Sequence, residues 1–267
     1  MMKLSRKKWK SSLAVIALAL GISPFATMGE IPRAFADTVT VNSLAALQDA
    51  ITNAPSTGRV ITLAAGTYLQ TTSIYIENKN NITIQGETSD YRDTVVKGTS
   101  MLDGLEINFR VNNSDNITIQ NMTIRDSYYH AVQITSGSDN FHAKNLLTWD
   151  NGSAAFKVAS VPSGLGLPYA DNGLIEDCVI GYTYGGHYSV VEGIDIVAGN
   201  GWTIRGNVFE NIVRLDGGEA YAAFAKGNAQ NTLMENNIVK NSFIGLSLGG
   251  GGTFGDWWRD GDTTYEE

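Results

Sequence analysis

The chain has a single cysteine, Cys178, so it can form no intrachain disulfide. Its stability has to come from buried apolar surface and backbone hydrogen bonds. Proline is scarce, five residues against 29 glycines. That balance excludes a proline-rich linker protein and suits many tight turns between short strands. Basic residues are outnumbered, 19 Lys and Arg against 27 Asp and Glu, which makes nucleic acid an unsuitable partner. No apolar run is long enough to span a bilayer comfortably. The hydrophobic share of 43% is ordinary for a chain that buries a core, which excludes a disordered protein.

The first 36 residues read as a separate object. Lys3, Arg6, Lys7, Lys8 and Lys10 open the chain, an apolar run follows from Leu13 to Ile22, and Ala34-Phe35-Ala36 stands before Asp37. A basic start, a short apolar middle and small residues at the exit make a secretory signal; a membrane anchor is the alternative. The expectation is a leader over 1–36 and one exported domain over 37–267, secreted and with no stable membrane insertion after cleavage. The leader carries six of the basic residues and one acidic one, so its removal takes the net charge from −8 to −13. A polyanionic ligand would then have to be held by local positive charge or by a bridging cation.

A repeat organises the rest. Six segments align, starting at Asn81, Asn116, Asn140, Asn172, Gly201 and Asn231. Within them apolar and polar residues alternate, as Ile117, Ile119 and Met122 do against Thr118 and Gln120, which is strand period. The sixth position is Asn121, Asn145, Asp177, Gly206 and Asn236 in successive copies. Asn tolerates left-handed backbone, and its amide can bond to the next copy. Constant strands with unequal spacing mean stacked rungs with loops inserted at the corners.

A second strand precedes each start. It gives two apolar columns, Val132, Phe156, Ile194, Ala223, Leu246 and Ile134, Val158, Ile196, Ala225, Leu248. The outward columns are Gln133, Lys157, Asp195, Phe224, Ser247 and Thr135, Ala159, Val197, Lys226, Gly249. Cys178 falls where Met122 and Leu146 fall, so it belongs to the core. Ser43 caps a short helix with Leu44, Leu47 and Ile51 on one face, suited to covering the open end of a coil. The fold expected is all-β, a right-handed parallel β-helix with a short N-terminal capping helix. No such cap is visible after Leu248; either the tail with Phe254, Trp257 and Trp258 folds over the last rung, or the chain is part of a longer coil.

The helix, the run GRVITLAAGTY from Gly58 and the NITIQ repeats resemble secreted pectate-lyase-like β-helix proteins. More loosely, the chain is similar to the β-helix alginate lyases of polysaccharide lyase families 6 and 31. Family 6 implies a lysine after glutamates and before an asparagine start, an order matched by Glu219, Lys226 and Asn231. The arginine that family carries on the next rung is Gly249 here. Family 31 implies a tyrosine and a lysine, which Tyr184 and Lys226 would match. These resemblances imply β-elimination of a uronic-acid polysaccharide, alginate ahead of pectate.

The residues themselves point to one patch. Adjacent rungs lie about 4.8 Å apart, so Lys157, Asp195 and Lys226 share a surface. Elimination requires a neutralised carboxylate, a base for the proton beside it and an acid for the leaving oxygen. The catalytic candidates are Lys226 and Tyr184. Lys157, Tyr182, His187 and Tyr188 are candidates for holding an acidic polysaccharide. Asp195, Glu192 and Glu219 are candidate ligands for calcium. The protein is expected to act as a monomer. Two readings stand beside this one: a glycoside hydrolase, for which Asp195 and Glu192 are the nearby carboxylates, and a polysaccharide-binding β-helix without activity. An outward lysine is commonly only solvated, and an Asp195 pair would raise its pKa, the wrong direction for a base.

Overall fold

In the computed structural model, residues 37–135, 137–159, 168–249 and 258–259 are described. The signal expected over 1–36 lies outside them, as do Phe254 and Trp257. The described residues all belong to one compact unit, Phe35–Glu267. Among them, no helix is long and apolar enough to cross a membrane.

Asparagine sets the corners. Asn81, Asn116, Asn140, Asn172 and Asn231 have φ between 52° and 60°, and Asn121, Asn145, Asp177 and Asn236 have φ between 48° and 59° at the second corner. In this left-handed region a β-carbon is tolerated mainly where a short polar side chain finds a local partner. Here the partner is the next rung. The amide of Asn116 donates to Asn81 at 3.0 Å, Asn140 to Asn116 at 3.1 Å, and Asn145 to Asn121 at 2.9 Å. Where Gly201 interrupts the first ladder, Asn231 donates to Asn200 instead, at 2.8 Å.

Between the corners run short strands, all paired in parallel. One sheet of thirteen strands begins with Asp37–Val41 and Arg59–Leu63 and divides around the long strands Thr118–Arg125 and His142–Trp149. The other has seven: Ile74–Glu77, Ile107–Asn112, His130–Thr135, Ala154–Ala159, Val191–Val197, Ala220–Lys226 and Ile244–Leu248. The chain is therefore a parallel β-helix. The helix Leu44–Thr52 packs against its first turns, with Leu47 and Ile51 buried and the Ser43 hydroxyl accepting from Ala46 N–H at 3.1 Å.

The expected columns hold in register. Val132, Phe156, Ile194, Ala223 and Leu246 are successive partners, and so are Gln133, Lys157, Asp195, Phe224 and Ser247. The inner members are buried down to Ala223, and Cys178 is buried with them, its thiol pushed up to about 12 by burial. The last rung departs from the expectation. Leu246 and Leu248 keep their register but are 40% and 56% exposed, because the inward columns reach the end of the described coil there. Arg259 lies on the flank of earlier rungs. Its backbone N–H donates to Gly227 at 2.8 Å, and its guanidinium donates to Asp171 at 2.7 and 2.8 Å and to the Ala198 carbonyl at 2.8 Å.

Candidate functional site

Strict alternation counted back from Val132 would send His130 and Glu192 into the coil. A run of small residues prevents it. Ala131 and Val132 are both in the core, as are Ala155 and Phe156, and Ala222 and Ala223. At the matching place stands Gly193, where a β-carbon would come within 2.9 Å of the Phe209 ring. Two successive inward residues turn the one before them outward. His130, Ala154, Glu192 and Tyr221, aligned in register, thus form a third outward column beside Gln133, Lys157, Asp195 and Phe224. Tyr221 stacks on Phe224 with ring centroids 4.5 Å apart.

The patch is a buried charge cluster. Asp195 is fully buried; its Oδ2 accepts from the Lys157 ammonium, and its Oδ1 lies 3.7 Å from Lys226 Nζ with no hydrogen-bond partner. Burial works to lower the pKa of Lys157, but the Asp195 and Glu192 carboxyls overcome it and leave the lysine raised. Glu192 is buried with its Oε1 unpartnered. Burial, and after it the Asp195 carboxylate, push Glu192 up to about 8. Lys226 is only 12% exposed and lies over the Phe224 ring at 4.3 Å. The carboxylate and the aromatic face fix where its ammonium sits.

His130 completes the cluster. Burial, and then the Lys157 ammonium, push it down to about 3, so the ring is neutral at pH 7. Its Nδ1 is 3.3 Å from the Ala154 carbonyl, which can only accept. The proton therefore sits on Nδ1 and leaves the Nε2 lone pair free. Tyr129 follows at 6.0 Å, and Tyr188 meets Tyr129 edge-on at 5.1 Å and Tyr128 at 5.9 Å. Hydrogen bonding to Tyr188, and the negative charge that would build beside it, raise the pKa of the Tyr129 phenol.

Of the residues singled out from sequence, the structure gathers Lys157, Asp195, Glu192 and Lys226 in one place and sets Tyr188 at its edge. Tyr184 is 80% exposed and, among the described residues, makes no hydrogen bond or ring contact. His187 stands exposed in the same corner. Tyr182 has to be withdrawn as a sugar-binding residue: it is buried in the core, and its hydroxyl donates to the Ser153 carbonyl at 3.1 Å. The calcium site has to be withdrawn as well. Among the described residues no three His, Cys, Asp or Glu side chains gather to hold a metal ion. Asp195 and Glu192 are buried against lysines, while Glu219 is exposed and accepts from the Tyr221 hydroxyl at 3.0 Å. Phe224, the least expected member of an outer column, is buried between Tyr221 and Lys226. Sequence reasoning missed a role for His130, Tyr129 and Arg110. The small residue opening each inward run was the signal for the first. Arg110 extends the Lys157 column and donates to Gln133 at 3.1 Å.

No protein-family model matches the chain, and no curated protein matches it. Solved structures do. An alginate lyase from Paenibacillus sp. str. FPU-7 superposes with a TM-score of 0.55 at 17% identity, over 77% of this chain and 76% of that one. The fold is shared. A pectin methylesterase in complex with a hexasaccharide gives a TM-score of 0.56 at 17% identity, covering 82% of this chain and 72% of its own. The pectin methylesterase PemA from Erwinia chrysanthemi gives 0.50 at 16% identity, over 82% and 72%. All are parallel β-helices, and at these identities the likeness concerns architecture.

Proposed function

We propose that the chain is a polysaccharide lyase that cleaves a uronic-acid polymer, alginate ahead of pectate, by β-elimination. The observation that carries this reading is the pair Lys157 and Lys226 sharing one buried carboxylate, Asp195. With Glu192 protonated below about pH 8, two ammonium groups face one negative charge. An acidic chain thus keeps a local positive surplus, which suits a sugar carboxylate. The alginate lyase and pectin methylesterases that share the fold lend support to a polysaccharide as the ligand.

The chemistry divides among the groups present. Lys157 and Lys226 pair with the uronate carboxylate and stabilise the negative charge that spreads onto it as the neighbouring C–H bond breaks. Lys226 lies 3.7 Å from the Asp195 carboxylate and over the Phe224 ring, a place that suits holding the uronate, so it is assigned to this task rather than to that of base. His130 Nε2 takes the proton once the bound uronate carboxylate has offset the Lys157 ammonium, which together with burial holds the free ring neutral. The C–H electron pair becomes the new double bond, the bond to the leaving oxygen breaks, and a phenol at the Tyr129 and Tyr188 edge returns a proton to that oxygen. The test is the ultraviolet absorbance of the unsaturated product on alginate and pectate. Lys226→Ala should lose at least tenfold in turnover, and Lys226→Arg, which keeps the charge but cannot act as a base, should retain most of it. If arginine is as inactive as alanine, Lys226 is itself the base. If alanine is fully active, the site lies elsewhere.

A second reading has its own support. Glu192 and Asp195 are neighbouring carboxyls whose surroundings treat them differently, the condition for an acid and its partner in a glycoside hydrolase. New reducing ends without unsaturated product would favour it.

A further inference from the structure

The outward column that carries Lys157 continues toward the N-terminal end of the coil through Gln133 to Arg110. There it borders an open pocket of about 430 Å³, lined by Gln70, Thr71, Thr72, Tyr75, Glu106 and Arg110 among others. That volume is within the range of ligand pockets, about 300–1,000 Å³. The proposed chemistry does not use this pocket.

Its frame is held by hydrogen bonds. Gln70 and Asn108 exchange reciprocal bonds, Nε2 to the Asn108 carbonyl at 2.7 Å and Asn108 Nδ2 to Gln70 Oε1 at 2.8 Å, both buried. Gln48 of the helix grips the backbone of Tyr75 at both ends, accepting from its N–H at 2.9 Å and donating to its carbonyl at 3.0 Å. The Tyr75 side chain is thereby presented on a fixed backbone, and the residue is 49% exposed. Gly104 closes the wall in a left-handed turn, φ 97°, where a β-carbon would strike the Thr99 hydroxyl at 2.1 Å. Arg110 donates to Gln133 and to Glu106, at 3.1 and 3.2 Å, while its Nε is buried without a partner.

Hydroxyls, one aromatic face and one guanidinium form a set with a clear complement. A sugar ring stacks on tyrosine and exchanges hydrogen bonds with threonines, and a carboxylate on that sugar pairs with arginine in a fork. We infer that this pocket is a distal subsite for an acidic sugar of the same polysaccharide chain, with Arg110 reading its carboxylate and Tyr75 supporting its ring. Two rungs separate Arg110 from Lys157, about 10 Å at the usual strand spacing. A polymer lying along the coil axis meets both. Glu106 pairs with Arg110 at 3.2 Å but is exposed, so the pair is weak and an incoming sugar carboxylate displaces it from the guanidinium. This inference rests on the acidic-polysaccharide reading above.

The experiment compares Arg110→Met and Tyr75→Ala with the unaltered protein on alginate oligosaccharides of increasing length. Affinity is read by calorimetry, kcat and KM by product absorbance, and folding by melting temperature. Both variants should weaken long oligosaccharides about tenfold through KM with little change in kcat, the signature of lost uniform binding. Disaccharides too short to span both places should lose far less. Unchanged affinity of a folded Arg110→Met protein for every length overturns the subsite and leaves the lyase reading intact. If the unaltered protein binds no acidic oligosaccharide at all, the lyase reading falls and the subsite falls with it. Tyr75→Ala, at an exposed ring, carries the test should Arg110→Met fail to fold.

Discussion

Replacing Glu192 with glutamine tests whether the buried carboxyl keeps its proton at neutral pH. Below its ordinary value of 4.5 the group is protonated in folded and unfolded chains alike and adds no pH dependence. Between 4.5 and about 8 the folded chain keeps a proton that the unfolded chain releases, so stability falls as pH rises. Above about 8 both have released it and the loss is complete. At about 1.4 kcal/mol per pH unit, the interval amounts to at most ~5 kcal/mol. Glutamine has nearly the same shape and stays neutral. Urea unfolding across this range should show wild-type stability falling steadily relative to Glu192→Gln, with the variant the more stable protein at the alkaline end. His130, held down to about 3, contributes a slope of the opposite sign below its ordinary 6.5. That slope is common to both proteins, so their difference isolates Glu192. Parallel curves, or a variant weakened equally at every pH, would refute a protonated Glu192 and the positive surplus built on it.

Two further outcomes follow from geometry. Tyr182→Phe removes a buried hydroxyl that donates to Ser153. It should cost about 1–2 kcal/mol in urea unfolding and leave turnover on polysaccharide nearly unchanged, since the ring lies in the core. Asn116→Ala keeps a β-carbon at φ 56° without the polar group that offsets it, and cuts amide links to Asn81 and Asn140. A loss of about 2 kcal/mol is expected by the same measurement, and Asn116→Gly, which relieves the backbone but not the ladder, should lose less.

The architecture was readable because two independent signals agreed. Apolar alternation marked the inward columns, and asparagines at the corners marked where each rung turns. Register then placed Lys157 beside Asp195 and Lys226 one rung further on, as the pairing shows. What escaped was local departure from alternation. Small residues such as Ala131 and Gly193 let two successive positions face inward, which turns His130 and Glu192 outward and explains why the Glu192 already singled out sits in the patch and why His130 joins it. Tyr182 escaped because a tyrosine-rich corner gives no sign of which ring the coil takes in. The calcium ligands misled because strand register says which carboxyls are neighbours but not what they face: Asp195 is paired with lysines and Glu219 turns to the Tyr221 hydroxyl.

Rungs of a coil touch only the rungs above and below them. Disorder introduced by heat therefore enters from the ends and travels inward, like a zipper opening. The last described strand, Ile244–Leu248, with Leu246 and Leu248 exposed, lies directly against Ala220–Lys226. Opening that single step uncovers Ala223 and frees Phe224 from Ser247, and with Phe224 goes the support beneath Lys226. The earlier strands, from Ile74–Glu77 through His130–Thr135, lose nothing by it. Warming should thus abolish the proposed turnover while most of the circular dichroism remains, so that activity reports on a few rungs and the spectrum on the whole coil.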